Sequence, residues 1–275
     1  MPWYDNDDGS RLWYEDHGSG PVLVLVHGWC MSSAVWRFQF ETLASSFRVI
    51  APDVRGHGKS EKTVDGYHFA GFAADIAALF RHLDISHALL AGWSMGAQVA
   101  LQACPLLSDR LSGLALISGT PRFTATEDFP HALGALEADG MGVKVRRNMG
   151  RALAGFMTRM FAAGELDDSE LAVQVHDVLN SIVLPDPDMA FQSLHSLATA
   201  DMRSLLPALD VPTLIINGDQ DRICLPPASD YLASSIASSE HVVIHGCGHA
   251  PFLTHSGQFN EYIECFGRRI FEHGT

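Results

Sequence analysis

The stretch Ala88 to Ala97, ALLAGWSMGA, joins a short apolar run to the start of an amphipathic segment. Its centre, Gly92 to Gly96, fits the pattern G-x-S-x-G, in which a serine lies on a sharp turn between a strand and a helix. Small residues flank Ser94 at two positions because side chains there would meet neighbouring backbone. The stretch therefore predicts a strand over Ala88 to Gly92, a helix over Ala97 to Cys104, and an exposed serine hydroxyl at the carboxyl edge of a sheet.

Apolar runs rich in Val, Ile and Leu recur along the chain and alternate with longer amphipathic segments. One such segment, Phe69 to Leu83, has its apolar residues at helical spacing. Short apolar runs between helices are typical of buried parallel strands, so the chain is predicted to be an α/β protein with a mostly parallel, doubly wound sheet. The predicted strands are Val22 to Val26, Arg48 to Ala51, Ala88 to Gly92, Leu114 to Ser118, Thr213 to Asn217, and Val242 to His245.

The alternation breaks between about Pro121 and Ala190, where the pattern is helical and no strand-like run occurs. In this segment Leu153, Phe156 and Met160 repeat at intervals of three and four residues. We interpret residues 121–190 as a helical cap inserted into a core made of residues 1–120 and 191–275. The alternative is that these helices pack directly on the sheet.

The composition narrows the class of protein. The 275 residues show no internal repeat and no linker, and the 47% apolar content suffices for one large core. A net charge of −14 argues against nucleic-acid binding, since most of the surface repels phosphate. Neither a signal-peptide pattern nor an apolar run long enough for a membrane span is present. The five cysteines form no CxxC pair, so we expect a cytoplasmic protein with reduced thiols.

A serine hydroxyl needs a base to take its proton, and that base needs an acid to hold the correct tautomer. Among the fourteen histidines, His249 lies in GCGHAPF, directly after a predicted strand, where glycines allow a loop to carry the imidazole over the sheet edge. Its position agrees with the chain order Ser, acid, His. His245 and His249 do not form a convincing zinc pair, because the intervening glycines disrupt helical geometry.

Two carboxylates, Asp219 and Asp221, follow the predicted strand that ends at Asn217. We favour Asp221 as the acid because it lies further beyond the strand, where a loop can reach the imidazole. Asp219 is better placed to shape the turn through its side chain.

Acyl transfer also requires hydrogen-bond donors for the developing oxyanion. The segment His27-Gly28-Trp29 follows an early strand, and the main-chain N–H groups of Trp29 and Met95 are the predicted donors. Each such donor contributes about 2.7–4 kcal/mol of transition-state stabilisation. His27 itself is expected to be structural.

The segment Gly56 to Ser60, GHGKS, ends like a phosphate-binding P-loop, but its spacing is wrong. A P-loop has glycine five positions before the last glycine, and this chain has Asp53 there. A carboxylate at that position would repel phosphate, so we interpret the segment as a glycine-rich turn near the active site.

These motifs together resemble the α/β-hydrolase superfamily across nearly the whole chain. More narrowly, HGW at residues 27–29, VWR at 35–37, the turn around Ser94, SGTPRF at 118–123 and HAPF at 249–252 resemble the pimeloyl-[acyl-carrier protein] methyl ester esterases of biotin synthesis. That resemblance implies hydrolysis of a methyl ester on a carrier-bound acyl chain, with no metal or organic cofactor. It also implies substrate contacts from Trp29, Met95, Phe156, Met157, Thr158, Arg159 and Met160.

The predicted cap contains a basic cluster on an otherwise acidic chain. An acidic partner such as acyl carrier protein could dock there, although a solvated helix face is the usual reason for such runs. From Met160 to Met202 there is no Lys or Arg. General arylesterases, perhydrolases acting on small esters, and a non-catalytic ligand sensor on the same fold therefore stay open as alternatives. The basic cluster consists of Lys144, Arg146, Arg147, Arg151 and Arg159.

Overall fold

The computed structural model describes residues 2–272 and shows one mostly parallel sheet with helices around it. The strand order is β1-β2-β4-β3-β5-β6-β7-β8, with β3 to β8 parallel and β1 and β2 antiparallel at one edge. The strands are β1 Trp3–Asp5, β2 Arg11–Gly18, β3 Val22–Val26, β4 Arg48–Pro52, β5 Ala88–Trp93, β6 Leu111–Ile117, β7 Thr213–Gly218 and β8 Ser239–Ile244.

The helices follow the strands as expected for an α/β protein, and they cluster most densely between β6 and β7. The α-helices are α1 Arg37–Leu43, α2 Phe69–His82, α3 Met95–Ala103, α4 Ala135–Arg147, α5 Met149–Arg159, α6 Ser169–Asn180, α7 Pro187–Thr199, α8 Pro226–Ser235, α9 Pro251–Thr254 and α10 Ser256–Glu272. Short 3-10 helices occur at Ser33–Trp36, Cys104–Leu106 and Arg203–Ala208.

Strand β5 is fully buried and pairs with β3 on one side and β6 on the other. This arrangement brings the carboxyl ends of the central strands, and the loops that follow them, to one edge of the sheet. The predicted fold class, an α/β protein with a mostly parallel, doubly wound sheet, is confirmed.

Helices α4 to α7 lie between β6 and β7, and α4 packs against both α5 and α7. The boundary predicted at residue 190 falls inside α7, because the helical pattern continues to Thr199 without a break. Residues 1 and 273–275 of the predicted core lie outside the described residues. Among residues 2–272, no helix is long and apolar enough to cross a membrane.

Candidate active site

Ser94 lies on a strained turn between β5 and α3. Its φ of 57° and ψ of −117° are unusual for a residue with a side chain, and such strain persists only where the surroundings enforce it. A Cβ on Gly92 would lie 2.1 Å from the Gly96 carbonyl oxygen, and one on Gly96 would lie 2.2 Å from the Val26 carbonyl oxygen. The two glycines are therefore required by close backbone approach.

His249 and Asp221 form a buried pair. His249 Nδ1 lies 2.7 Å from Asp221 Oδ2, and neither side chain is exposed to solvent. The other oxygen, Asp221 Oδ1, accepts the N–H groups of Ile223 at 2.8 Å and Cys224 at 3.0 Å. His249 Nε2 is buried without a hydrogen-bond partner among the described residues. Because Asp221 occupies Nδ1, Nε2 is the nitrogen free to take a proton.

Asp219 has a different environment from Asp221, although only two residues separate them. Its Oδ2 lies 3.0 Å from Nδ1 of the exposed His245, and its Oδ1 accepts the Gly246 N–H at 2.8 Å. The hydrogen bond to His245 is the main cause that lowers the pKa of Asp219. This carboxylate binds the turn between β8 and the His249 loop, whereas Asp221 contacts the imidazole itself.

The turn after β3 lies beside the serine. A Cβ on Gly28 would be 3.3 Å from Ser94 Cβ. The neighbouring His27 holds this turn, because its Nδ1 lies 2.8 Å from the Gly28 carbonyl oxygen and its Nε2 accepts the Val54 N–H at 3.1 Å. Burial lowers the pKa of His27 to about 4, so its imidazole is neutral at pH 7. This geometry gives His27 a structural role and places Trp29 next to the turn that carries Ser94.

The glycine-rich turn over residues 56–60 encloses a carboxylate. Asp53 Oδ1 accepts the Ser33 N–H at 2.6 Å, and Oδ2 accepts the Lys59 N–H at 2.8 Å. A Cβ on Gly58 would lie 2.1 Å from Asp53 Oδ2. The Lys59 N–H, which a phosphate in this turn would need as a donor, is thus already bound to the Asp53 carboxylate.

The five consecutive cap residues predicted to contact substrate do not share one face. Phe156 packs edge-on against Trp29 at a ring distance of 5.3 Å, and the Met160 carbonyl oxygen accepts the His249 N–H at 2.6 Å. Met157 and Thr158 instead line a cavity of about 410 Å³ between cap helices. Successive helical residues are rotated by about 100°, so these residues face different neighbours, and their contact with substrate stays a prediction.

The basic cluster is only partly free for a partner. Arg146 lies over the Phe191 ring at 3.5 Å. Arg159 pairs with Glu137 and donates to the Arg222 carbonyl oxygen at 2.7 Å. The remaining three members, which are exposed near the junction of α4 and α5, are Lys144, Arg147 and Arg151.

One group of side chains has the chemistry of metal ligands. The ligand atoms of Glu165, Cys247 and His255 all lie within 4.8 Å of one another. Burial, followed by the charge of Glu165, raises the pKa of the Cys247 thiol. The Glu165 carboxylate also accepts N–H groups of Ala162 and Gly248. We therefore describe this group as a hydrogen-bonded cluster.

Two side chains that hold the His249 loop were not predicted. Trp93 Nε1 donates to the His249 carbonyl oxygen at 2.8 Å, and Glu165 accepts the Gly248 N–H at 2.9 Å. Trp93 occupies an unspecified position of G-x-S-x-G, and Glu165 lies 83 residues before its partner. No local sequence signal marks either contact.

Comparison with known proteins shows the family and the fold to which the chain is similar. Residues 21–256 match the α/β hydrolase fold family. A pimeloyl-[acyl-carrier protein] methyl ester esterase of Xanthomonas axonopodis pv. citri is 32% identical over 250 residues, which cover 90% of this chain and 96% of that protein. An esterase from Exiguobacterium antarcticum has a TM-score of 0.90 at 28% identity, over 97% of this chain and 98% of its own. A bromoperoxidase from Bacillus anthracis has a TM-score of 0.88 at 27% identity, over 96% and 98%.

The fold and the family match define an α/β hydrolase, and the chain belongs to that family. Its curated relatives place it with the pimeloyl-[acyl-carrier protein] methyl ester esterases, as the sequence resemblance predicted. The predicted class of enzyme, a carboxylic-ester hydrolase, is confirmed at the level of the family, whose curated members are named as esterases.

Proposed function

We propose that the protein hydrolyses a carboxylic ester through an acyl-enzyme, and that its substrate is the methyl ester of a pimeloyl chain on acyl carrier protein. The observation that carries the mechanism is the buried Asp221–His249 pair with Nε2 left free. The substrate rests on the names of the relatives. It is supported by the exposed basic residues of the cap, which complement an acidic carrier.

In the first half of the reaction, Ser94 Oγ attacks the ester carbonyl carbon while His249 Nε2 takes the hydroxyl proton. Asp221 holds Nδ1 protonated and stabilises the imidazolium. The N–H groups of Trp29 and Met95 would donate to the oxyanion. His249 then returns the proton to the leaving oxygen, so methanol departs and the acyl group stays on Ser94.

In the second half, water attacks the acyl-enzyme and gives its proton to His249 Nε2. Collapse of the second tetrahedral intermediate releases the free carboxylate and restores the Ser94 hydroxyl. The rings of Trp29 and Phe156, which pack edge to face, are apolar, and an apolar contact suits an acyl chain rather than a charged group.

The decisive experiment compares kcat/KM for the carrier-bound methyl ester with kcat/KM for the same methyl ester without the carrier. We expect a preference for the carrier-bound form, and we expect K144Q/R147Q/R151Q to reduce that preference about tenfold by weakening electrostatic association. The control R268Q neutralises an exposed arginine on α10 and leaves the preference unchanged. Equal kcat/KM for both esters would contradict the carrier as partner.

The same assay tests the mechanism. Ser94→Ala should lower kcat by about 10⁶-fold, as for removal of a nucleophilic triad serine. Retention of turnover by this variant would refute the acyl-enzyme mechanism on any ester.

A second candidate is peracid formation, which the likeness to the solved bromoperoxidase favours. In that reaction hydrogen peroxide replaces water in the second half, so that the acyl group leaves Ser94 as a peracid. With acetic acid as the acyl donor, Ser94 would be acetylated with loss of water, and transfer of the acetyl group to hydrogen peroxide would give peracetic acid. Incubation with acetate, hydrogen peroxide and bromide measures this peracid through the bromide that it oxidises. Peracid formation would be favoured over ester hydrolysis if bromide oxidation is faster than hydrolysis of an ester and is lost in the Ser94→Ala variant.

A further inference from the structure

The cap segment 160–165 lies directly against the loop that carries His249. The Met160 carbonyl oxygen accepts the His249 main-chain N–H at 2.6 Å. Five residues after Met160, Glu165 Oε2 accepts the N–H of Gly248, the residue before His249, at 2.9 Å. The helix after the loop is also held, because the hydroxyl of Thr254 in α9 donates to Glu165 Oε1. The cap thus contacts this loop and α9 at three points around the proposed general base.

The packing leaves little room between the two segments. A Cβ on Gly248 would lie 2.3 Å from the Met160 carbonyl oxygen and 3.0 Å from Glu165 Oε2. The absence of a side chain at residue 248 is therefore what allows the cap backbone to reach the loop. Gly246, by contrast, has a φ of 73° and provides the turn itself.

Glu165 is the centre of this contact. Its side chain is only 1% exposed, and its carboxylate accepts the Ala162 N–H at 2.5 Å as well as the Gly248 N–H and the Thr254 hydroxyl. A buried carboxylate needs such donors, and hydrogen bonds to an ionised group are stronger and more directional than neutral ones. The side chain therefore fixes both its own turn and the loop.

We propose that Glu165 is a positioning residue that aligns His249 from the cap, so that docking of the cap and alignment of the general base occur together. This inference rests on the proposed serine hydrolase mechanism. Glu165 touches neither Ser94 nor the imidazole ring in this scheme. It acts through the Gly248 N–H and Thr254, which lie on either side of His249.

Three variants test the proposal on a small soluble ester whose binding does not involve the carrier. Glu165→Ala removes all three acceptor contacts. We expect kcat to fall about 10–100-fold, the effect of a displacement near 1 Å in a catalytic group, with KM changed less than twofold. Thr254→Val removes one contact and should lower kcat by a smaller factor, again without a change in KM.

Glu165→Gln is the conservative variant that separates positioning from charge. Its amide oxygen can accept the Ala162 and Gly248 N–H groups, while its NH₂ donates to the Thr254 hydroxyl oxygen. We expect kcat within about threefold of wild type, because contact geometry is what sustains the rate. Glu170→Ala removes an exposed carboxylate from α6 and serves as the matched control with wild-type kcat and KM.

Failure of the positioning role of Glu165 can be distinguished from failure of the serine hydrolase mechanism. If Ser94→Ala is inactive while folded Glu165→Ala retains wild-type kcat, the positioning role is wrong and the mechanism stands. A Gln variant as slow as Ala would also overturn the proposal, because its hydrogen bonds are retained. Should Glu165→Ala fail to fold, as judged by circular dichroism, Thr254→Val and Glu165→Gln still decide it through kcat and KM.

Discussion

Asp219 and Asp221 show how environment separates the roles of two chemically identical residues. Asp221 is buried, and its Oδ1 is fixed by the N–H groups of Ile223 and Cys224, so that Oδ2 has one direction, toward His249. Asp219 is 34% exposed and is bonded to an exposed histidine. Only Asp221 has the fixed, water-free position that tautomer control requires.

Replacing Asp221 by Asn should lower kcat about 10⁴-fold, the effect known for the buried acid of a serine triad. The Asn oxygen would stay with the Ile223 and Cys224 N–H groups, which turns the NH₂ toward His249 Nδ1. Nδ1 must then accept, so Nε2 carries the proton and cannot act as base. Steady-state kcat on a short p-nitrophenyl ester measures the effect.

Asp219→Asn is the matched control for this prediction. It changes the same functional group two residues away and should leave kcat within a few fold, because its partners lie on the turn after β8. An equal loss in both variants would indicate that the turn, rather than the tautomer, limits the rate.

At the scale of elements, the sequence predicted the strands and the turn that a local residue pattern determines. The central strands are apolar on both faces, and the turn from β5 through Ser94 to α3 has its own residue pattern. Strands β1 and β2 were missed because they lie at the antiparallel edge. In β2, buried Leu12 and Tyr14 alternate with more exposed neighbours, so no continuous apolar run marks the strand.

The contacts between elements could not be predicted in the same way. Glu165 and Gly248 are 83 residues apart, and their contact depends on how the segment after α5 packs against the His249 loop. The face of α5 is a similar case. Phe156 packs against Trp29 and the Met160 carbonyl oxygen just after α5 contacts the His249 loop, while Met157 lines a cavity. Sequence periodicity identifies an apolar face but does not say which neighbour covers it.

A pair of Gly→Ala substitutions tests whether the turn from β5 through Ser94 to α3 requires glycine. In Gly96→Ala the new Cβ would lie 2.2 Å from the Val26 carbonyl oxygen, so α3 cannot dock at the end of β3. We expect a loss of about 1–3 kcal/mol in the free energy of unfolding, as for other overpacked sites, and loss of esterase activity. Urea denaturation and a p-nitrophenyl ester assay measure both effects.

Gly155→Ala is the control for that experiment. Gly155 also lies in a helix, α5, but a Cβ there meets nothing within 4 Å. The substitution should raise the free energy of unfolding by up to about 1 kcal/mol through helix propensity alone. If Gly155→Ala destabilises the protein as Gly96→Ala does, the difference in the space around these two glycines does not explain the effect.

At the scale of the whole molecule, two buried histidines connect the loops after β3 and β4. His27 and His57 have ring centroids 5.4 Å apart, and neither residue is exposed. Burial lowers the pKa of His27 to about 4 and that of His57 to about 3, with the neighbouring His27 adding to the shift of His57. Asp53 near His57 opposes the shift but is outweighed by burial. Both imidazoles are therefore neutral in the folded protein.

This neutrality makes the folded state less stable in acid. In the unfolded chain each imidazole has a pKa of about 6.5, so between pH 6.5 and 4 the unfolded state binds more protons than the folded one. These two groups do not reduce the free energy of unfolding above pH 6.5, and below that pH they reduce it progressively as the pH decreases. At pH 5, each histidine should lower the free energy of unfolding by about 2 kcal/mol relative to pH 8.

Urea denaturation of wild type and His57→Phe at pH 8 and pH 5 tests this prediction, because the linear slope gives the free energy of unfolding at each pH. The Phe variant cannot titrate at residue 57, so its loss between the two pH values should be about 2 kcal/mol smaller than that of wild type. The exposed His176 provides the control: His176→Gln should keep the wild-type loss, because its imidazole is solvated in both states. If His57→Phe loses as much stability as wild type, the acid sensitivity originates elsewhere, and the buried histidine pair does not set the lower pH limit of the fold.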